Sequence, residues 1–167
     1  MQKLTREEKI ISQIQNNPGI RFRELMKSLG ISNGVMSYYS NKLEKTGSVH
    51  VERKSGVLRF FMPDLNDSEL KLTKYLRMPT PKKIMLALLE ENQLSFKQIT
   101  AKIMMSPATT SFYLKKLVVD KIVTTTNFSV KRYSLENKRQ ISNLISEYHP
   151  ALIDNASENL ADIFSSY

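Results

Sequence analysis

Residues 31–47 read Ile-Ser-Asn-Gly-Val-Met-Ser-Tyr-Tyr-Ser-Asn-Lys-Leu-Glu-Lys-Thr-Gly, a single helix with legible ends. Ser32 can accept a hydrogen bond from the free amides of the first turn, and Gly47 supplies the left-handed residue that closes the far end. Met36 and Leu43, with Tyr39 beside them, recur at helical spacing and form an inward stripe. Asn33, Gly34, Ser37, Tyr38, Asn41, Lys42 and Lys45 fall on or near the opposite face. These are short polar groups, an amide and cations, which suit base edges and phosphates. Upstream, Phe22 to Leu29 reads as a second short helix, with Gly30 in the turn between the two. Two short helices across a tight glycine turn predict a helix-turn-helix, with Ser32–Thr46 as the outward-reading helix.

The surroundings extend this unit in both directions. Thr5 and Glu8 have capping-box spacing, and Ile10, Ile11 and Ile14 give a first helix its apolar stripe, ended by Asn16-Asn17-Pro18-Gly19. Downstream, Ser48 to Met62 alternates as strands do, in two runs around a Lys-Ser-Gly turn, which predicts a hairpin. Three helices followed by a hairpin is the winged helix-turn-helix plan, with Arg53 and Lys54 near the wing tip and Arg59 on its second strand.

The pattern returns at an offset of 74 without gaps: Phe22 falls on Phe96, Ser32 on Ser106, Ser37 on Ser111, Tyr39 on Tyr113, Lys42 on Lys116 and Leu43 on Leu117. Six of the twenty-three positions from 21 to 43 are identical to their counterparts, so the chain is a tandem rather than one domain. Ser95 and Gln98 form another capping box, Ser106-Pro107 caps a second reading helix, and Ile122–Leu135 is a second hairpin. Between the copies, Pro63 to Thr80 is a connector with one short helix, Asp67–Arg77, whose Leu70, Leu72 or Tyr75, and Leu76 face inward. Thr80 and Pro81 fit the cap and first position of the next helix. From Ser134 the chain turns helical again, Pro150 breaks that helix, and a last one carries Leu152, Ile153, Ala156, Leu160, Ile163 and Phe164.

The expected architecture is therefore mainly α with small β-hairpin wings. A first winged domain spans residues 1–63, a connector 64–80, a second winged domain 81–135, and C-terminal helices 136–167 that either pair two chains into a homodimer, the favoured expectation, or fold back on their own chain. The copies differ in their faces. Gly34 becomes Ala108 and Asn41 becomes Lys115, and the second wing carries its charges late, at Lys131 and Arg132. With Thr109, Ser111, Phe112 and Lys116, these residues suit phosphate positioning more than base reading, so the first unit is expected to specify and the second to position.

Charge and composition agree with a polyanion partner. Residues 1–62 carry eleven Lys/Arg against five Asp/Glu, 81–135 nine against three, and 136–167 two against five, within a net charge of +9. Two basic blocks and an acidic end predict two surfaces for a polyanion and a third for something else. There is no cysteine, and His50 and His149 stand alone, so no metal, cofactor or thiol switch is expected. With five glycines and no nucleophile–base pairing, no catalytic site is expected either. No run of eighteen apolar residues occurs, and Met-Gln-Lys-Leu-Thr-Arg-Glu-Glu lacks the core of a signal peptide, which points to a cytoplasmic protein without membrane contact.

Phe22-Arg23-Glu24-Leu25, Gly30 to Tyr39, Lys42-Leu43-Glu44-Lys45 and Gly47 resemble the winged helix-turn-helix of archaeal transcription regulators related to the MarR and ArsR groups. In those groups the recognition helix commonly reads Val-Ser-x-His-Leu-x-x-Leu-x-x-x-Gly; here Tyr39 stands for the histidine and Ser40 for the leucine. Leu76-Arg77-x-Pro79-Thr80 and Ser111 to Leu117 resemble the same family, and the tandem is similar to archaeal regulators with two winged domains, such as the archaellum-operon regulators. The resemblance implies sequence-specific binding of double-stranded DNA, with the basal transcription machinery as a further partner. The alternative function is a tandem winged-helix subunit that docks on protein in transcription or chromosome machinery.

Overall fold

The structure, a computed structural model, describes residues 4–153, with side chains through Glu147. The chain divides into two units, Met1–Thr73 and Lys74–Tyr167. In the first, α1 (Arg6–Asn16) is followed by β1 (Ile20–Arg21), α2 (Phe22–Leu29), α3 (Asn33–Lys45), β2 (His50–Lys54) and β3 (Val57–Phe61). The predicted caps are in place. Thr5 and Glu8 exchange their backbone–side-chain hydrogen bonds, and Ser32 accepts from the Val35 amide at 3.4 Å. Gly30 closes α2 with φ 62° and Gly47 follows α3 with φ 70°, both in the left-handed region that costs glycine nothing. Ile10, Ile14, Leu25, Met36, Leu43 and Phe60 are buried together, so all three helices and the hairpin share one core.

The wing is a tight hairpin. Lys54 pairs with Val57, leaving Ser55 and Gly56 as a two-residue loop with φ 51° and 73°. Two positive φ angles in sequence are those of the primed turn that matches strand twist. The sheet has a third strand that the sequence pattern did not predict. β1 pairs antiparallel with β3, giving the order β1-β3-β2. Two residues are too few to show a period-2 pattern, and their pairing with a strand forty positions away is tertiary.

Helix α4 (Asp67–Leu76) occupies the predicted connector, with Leu72 and Leu76 buried and Leu70 half-buried. The second unit continues with α5 (Pro79–Glu90), β4 (Leu94–Ser95), α6 (Phe96–Ile103), α7 (Pro107–Val119), β5 (Val123–Asn127), β6 (Lys131–Leu135) and α8 (Lys138–Ile153). Its sheet order, β4-β6-β5, repeats that of the first unit. Three boundaries differ from expectation. Helix α5 starts at Pro79 with the extended Met78 as cap, and Thr80 is buried in the first turn rather than capping it. As prolines at this spacing dictate, α4 ends at Leu76 and a new helix starts; within α5 both sit where helical amides have no partner. Ser134 lies in β6, and α8 begins after Asn137, whose side chain accepts from the Gln140 amide at 3.0 Å. Pro150 does not break α8, which runs through it to Ile153; a proline removes one helical hydrogen bond but leaves those on either side intact. Leu152 and Ile153 of the expected last helix thus belong to α8, and its remainder lies outside the described residues.

The repeat extends to backbone strain. Met104 and Lys121, the counterparts of Gly30 and Gly47 at the offset of 74, keep positive φ angles of 53° and 57°. A side chain in that region costs about 1–2 kcal/mol, partly offset by the freedom glycine would restore to the unfolded chain. Lys121→Gly is therefore expected to stabilise the second unit by about 0.5–1 kcal/mol, read as a rise of a few degrees in its thermal midpoint. An unchanged or lower midpoint would mean that the Lys121 side chain makes contacts that outweigh the strain. Close to that site, Tyr75 donates to the Asp120 carboxylate at 2.5 Å, binding the last turn of α4 to the end of α7. Burial and the carboxylate together push the Tyr75 phenol well above its ordinary value.

Candidate nucleic-acid interface

Helix α3 is held from behind and bare in front. Met36, Ser40 and Leu43 point into the core, whereas Asn33, Gly34, Tyr38, Asn41, Lys42 and Lys45 are exposed. Ser32 spends its hydroxyl on the cap, and Ser37 donates to Asn33 Oδ1 at 3.4 Å, which leaves the Asn33 amide NH₂ as the outward-facing donor. Tyr38 is 62% exposed and meets the half-buried Tyr39 edge-on, with ring centroids 5.2 Å apart. Tyr39 is thus a packing residue that props Tyr38 outward.

Two of the expected phosphate contacts already have carboxylate partners. Lys42 Nζ lies 3.0 Å from Glu7 Oε1 of α1, and this hydrogen bond raises the ammonium pKa above its ordinary value. Arg53 makes a two-pronged contact with Glu44, 2.6 Å on each prong, clamping β2 to the end of α3. The Arg53 hydrogen bonds hold the Glu44 carboxyl below the usual carboxylate range. The contribution of this pair is therefore complete above that range and is lost as pH falls through the lowered value. Exposed pairs of this kind contribute little against solvent screening, so a phosphate can replace either carboxylate at little cost. Lys45 and Lys54 are exposed, one at the end of α3 and one at the wing turn. Arg59 is different: it is half-buried in the central strand and donates to the Gly19 carbonyl at 2.9 Å, which braces β1 against β3.

In the second unit, Ser106 accepts from the Thr109 amide at 3.2 Å and donates to Thr109 Oγ1 at 2.8 Å, so both hydroxyls serve the cap of α7. Phe112 and Tyr113 reproduce the edge-on aromatic pair at 5.1 Å, and Lys116 Nζ sits 4.3 Å over the Phe112 ring. Lys115, Lys116, Lys131 and Arg132 are exposed, and Ser111 is half-exposed; Lys131 Nζ is 5.4 Å from the centre of the Tyr133 ring. What sequence reasoning did not bring out is the apolar part of this face: Val119, Phe128 and Val130 are exposed beside those cations.

Among the described residues, no cluster of histidines and carboxylates could hold a metal, and no helix is long and apolar enough to cross a membrane. Residues 4–49 match a family model described as winged helix-turn-helix DNA-binding, and residues 79–125 match one described as bacterial regulatory protein, arsR family. No curated protein sequence matches the chain. Among solved structures, a MarR family transcriptional regulator from Silicibacter pomeroyi is similar over 80% of this chain and 83% of its own, at 18% identity and a TM-score of 0.39. The DIP2311 protein from Corynebacterium diphtheriae is similar over 78% of this chain and 26% of its own, at 16% identity and a TM-score of 0.30. The two winged units accordingly rest on the chain's own geometry and on the two local matches.

Proposed function

We propose that this chain of two tandem winged helix-turn-helix domains is a sequence-specific, double-stranded DNA-binding transcription regulator, acting by binding rather than catalysis. The observation that carries the reading is α3. It is a capped helix, locked into a core on one side and presenting Asn33, Tyr38, Asn41 and Lys45 on the other. A helix of that kind fits the major groove of B-DNA, where an amide can pair with adenine and cations meet phosphates. The wing follows, with Lys54 at its turn. In the second unit Lys115 and Lys116 take a positioning role on the backbone, where contacts carry no sequence information. The expected homodimer would leave the first half of α8 aside, because Ile141, Leu144 and Ile145 are buried within the single chain. Any pairing of chains would then fall to residues after Glu147, where no side chain is described.

Fluorescence anisotropy on labelled duplexes tests this reading. Full-length protein is expected to bind duplex DNA, and Lys54→Ala to weaken all sequences alike while lowering the log–log salt slope by about 1. Loss confined to one sequence would make Lys54 a base reader, and absence of duplex binding would leave protein docking as the function.

A further inference from the structure

The offset of 74 also compares the faces of the two units. Lys45 of α3 corresponds to Val119 of α7, which is 79% exposed, and Lys54 at the first wing turn corresponds to Phe128, which is 94% exposed. Two exposed cations of the first unit are thus exposed apolar side chains in the second. Next to Val119 lies an open cleft of about 320 Å³ with Phe96, Leu114, Val118 and Tyr133 as apolar lining and Lys115 and Lys131 among its polar residues. A phosphate backbone gains nothing from covering valine and phenylalanine, since only apolar contact removes that surface from water favourably. The chemistry that fits is a segment with apolar side chains on one side and carboxylates beside them.

The chain contains such a segment. Residues 154–167, outside the described residues, read Asp-Asn-Ala-Ser-Glu-Asn-Leu-Ala-Asp-Ile-Phe-Ser-Ser-Tyr, with three carboxylates and no Lys or Arg. Leu160, Ile163 and Phe164 have the i, i+3, i+4 spacing of one helical face. Extended, residues 154–159 carry Leu160 roughly 23–25 Å from the end of α8, somewhat less than the width of a compact unit roughly 30 Å across. The segment leaves α8 of the second unit, the unit that holds the cleft. Tethering sets an effective concentration of roughly millimolar, at which a weak contact is occupied.

We infer that residues 154–167 dock within the same chain on the α7–wing face of the second unit. Leu160, Ile163 and Phe164 cover the cleft lined by Leu114, Val118 and Tyr133, and the carboxylates meet Lys115 and Lys131. The docked segment thus lies on the same face that the DNA-binding reading assigns to phosphates.

Backbone amide NMR spectra of the full chain and of the chain cut after Ile153 test this without DNA, so the result stands apart from the DNA-binding reading. The cut is expected to shift the resonances of Leu114, Val118 and Tyr133, and a synthetic peptide of residues 154–167 to return them. The cut chain carrying Lys115→Glu and Lys131→Glu, both surface changes, should bind the peptide about tenfold more weakly or worse. Sedimentation should give the monomer mass for both lengths. The inference fails if the cut leaves the cleft resonances unmoved, if the peptide does not return them, or if the double variant binds it equally well. It fails also if the shifts accompany a halving of mass, which would seat the segment on a second copy.

Discussion

Raising the salt from 50 to 200 mM is expected to lower the affinity of this protein for duplex DNA by about 10³-fold, the lower end of the 10³–10⁵ range for 6–10 neutralised phosphates. Lys45, Lys54, Lys115, Lys116, Lys131 and Arg132 are all exposed and lie on the α3–wing and α7–wing faces. Each, on meeting a phosphate, releases condensed counterions, and that release is what salt opposes. Lys42 and Arg53 add less, because each trades the carboxylate of Glu7 or Glu44 for a phosphate, and the same holds for Lys115 and Lys131 where residues 154–167 are docked on them. Anisotropy titrations at several salt concentrations give the slope directly. A nearly flat response would remove DNA as the partner and favour docking on protein.

The second large effect is expected at Asn41. Its amide is exposed on α3, one turn after Tyr38 and one before Lys45, and it is the group on that face best able to make two hydrogen bonds to an adenine edge. Losing a bidentate base contact should cost about 1–3 kcal/mol on the preferred duplex, or roughly 5–150-fold in affinity, and much less on a scrambled one. The methylene and amide of Asn41 support no core contact, so Asn41→Ala should leave thermal stability unchanged. Competition between matched and scrambled duplexes separates the cases. Equal losses on both would take Asn41 out of the base-reading set and leave it a contributor to general affinity.

What was legible in the sequence was local. The capping boxes at Thr5–Glu8 and Ser95–Gln98, the caps at Ser32 and Ser106, and the glycine turns depend on residues three or four apart, and all stand in the structure. The tandem was legible because matching side chains recur at one offset; that the left-handed backbone persists at Met104 and Lys121, where glycine is absent, shows only in the structure. What was not legible was tertiary. Arg59 reads as a wing cation, yet it bonds Gly19, forty positions away, and Lys42 bonds Glu7, thirty-five away. Neither partner follows from spacing. Strands β1 and β4 are too short to alternate, and Pro150 is a breaker by rule but not within α8. The apolar face of the second unit was within reach of the sequence, since Lys45 and Lys54 map onto Val119 and Phe128, but exposure at those positions is a property of the fold.

Selection from a pool of random-sequence duplexes, followed by sequencing, tests the central claim most directly, because a random pool favours no binding site in advance. At a salt concentration where the full-length protein binds, the enriched duplexes should share one motif, and the same selection with Asn41→Ala should lose information at a single position of it. Binding without any enriched motif, or the same motif with and without Asn41, would contradict a sequence-reading role for α3.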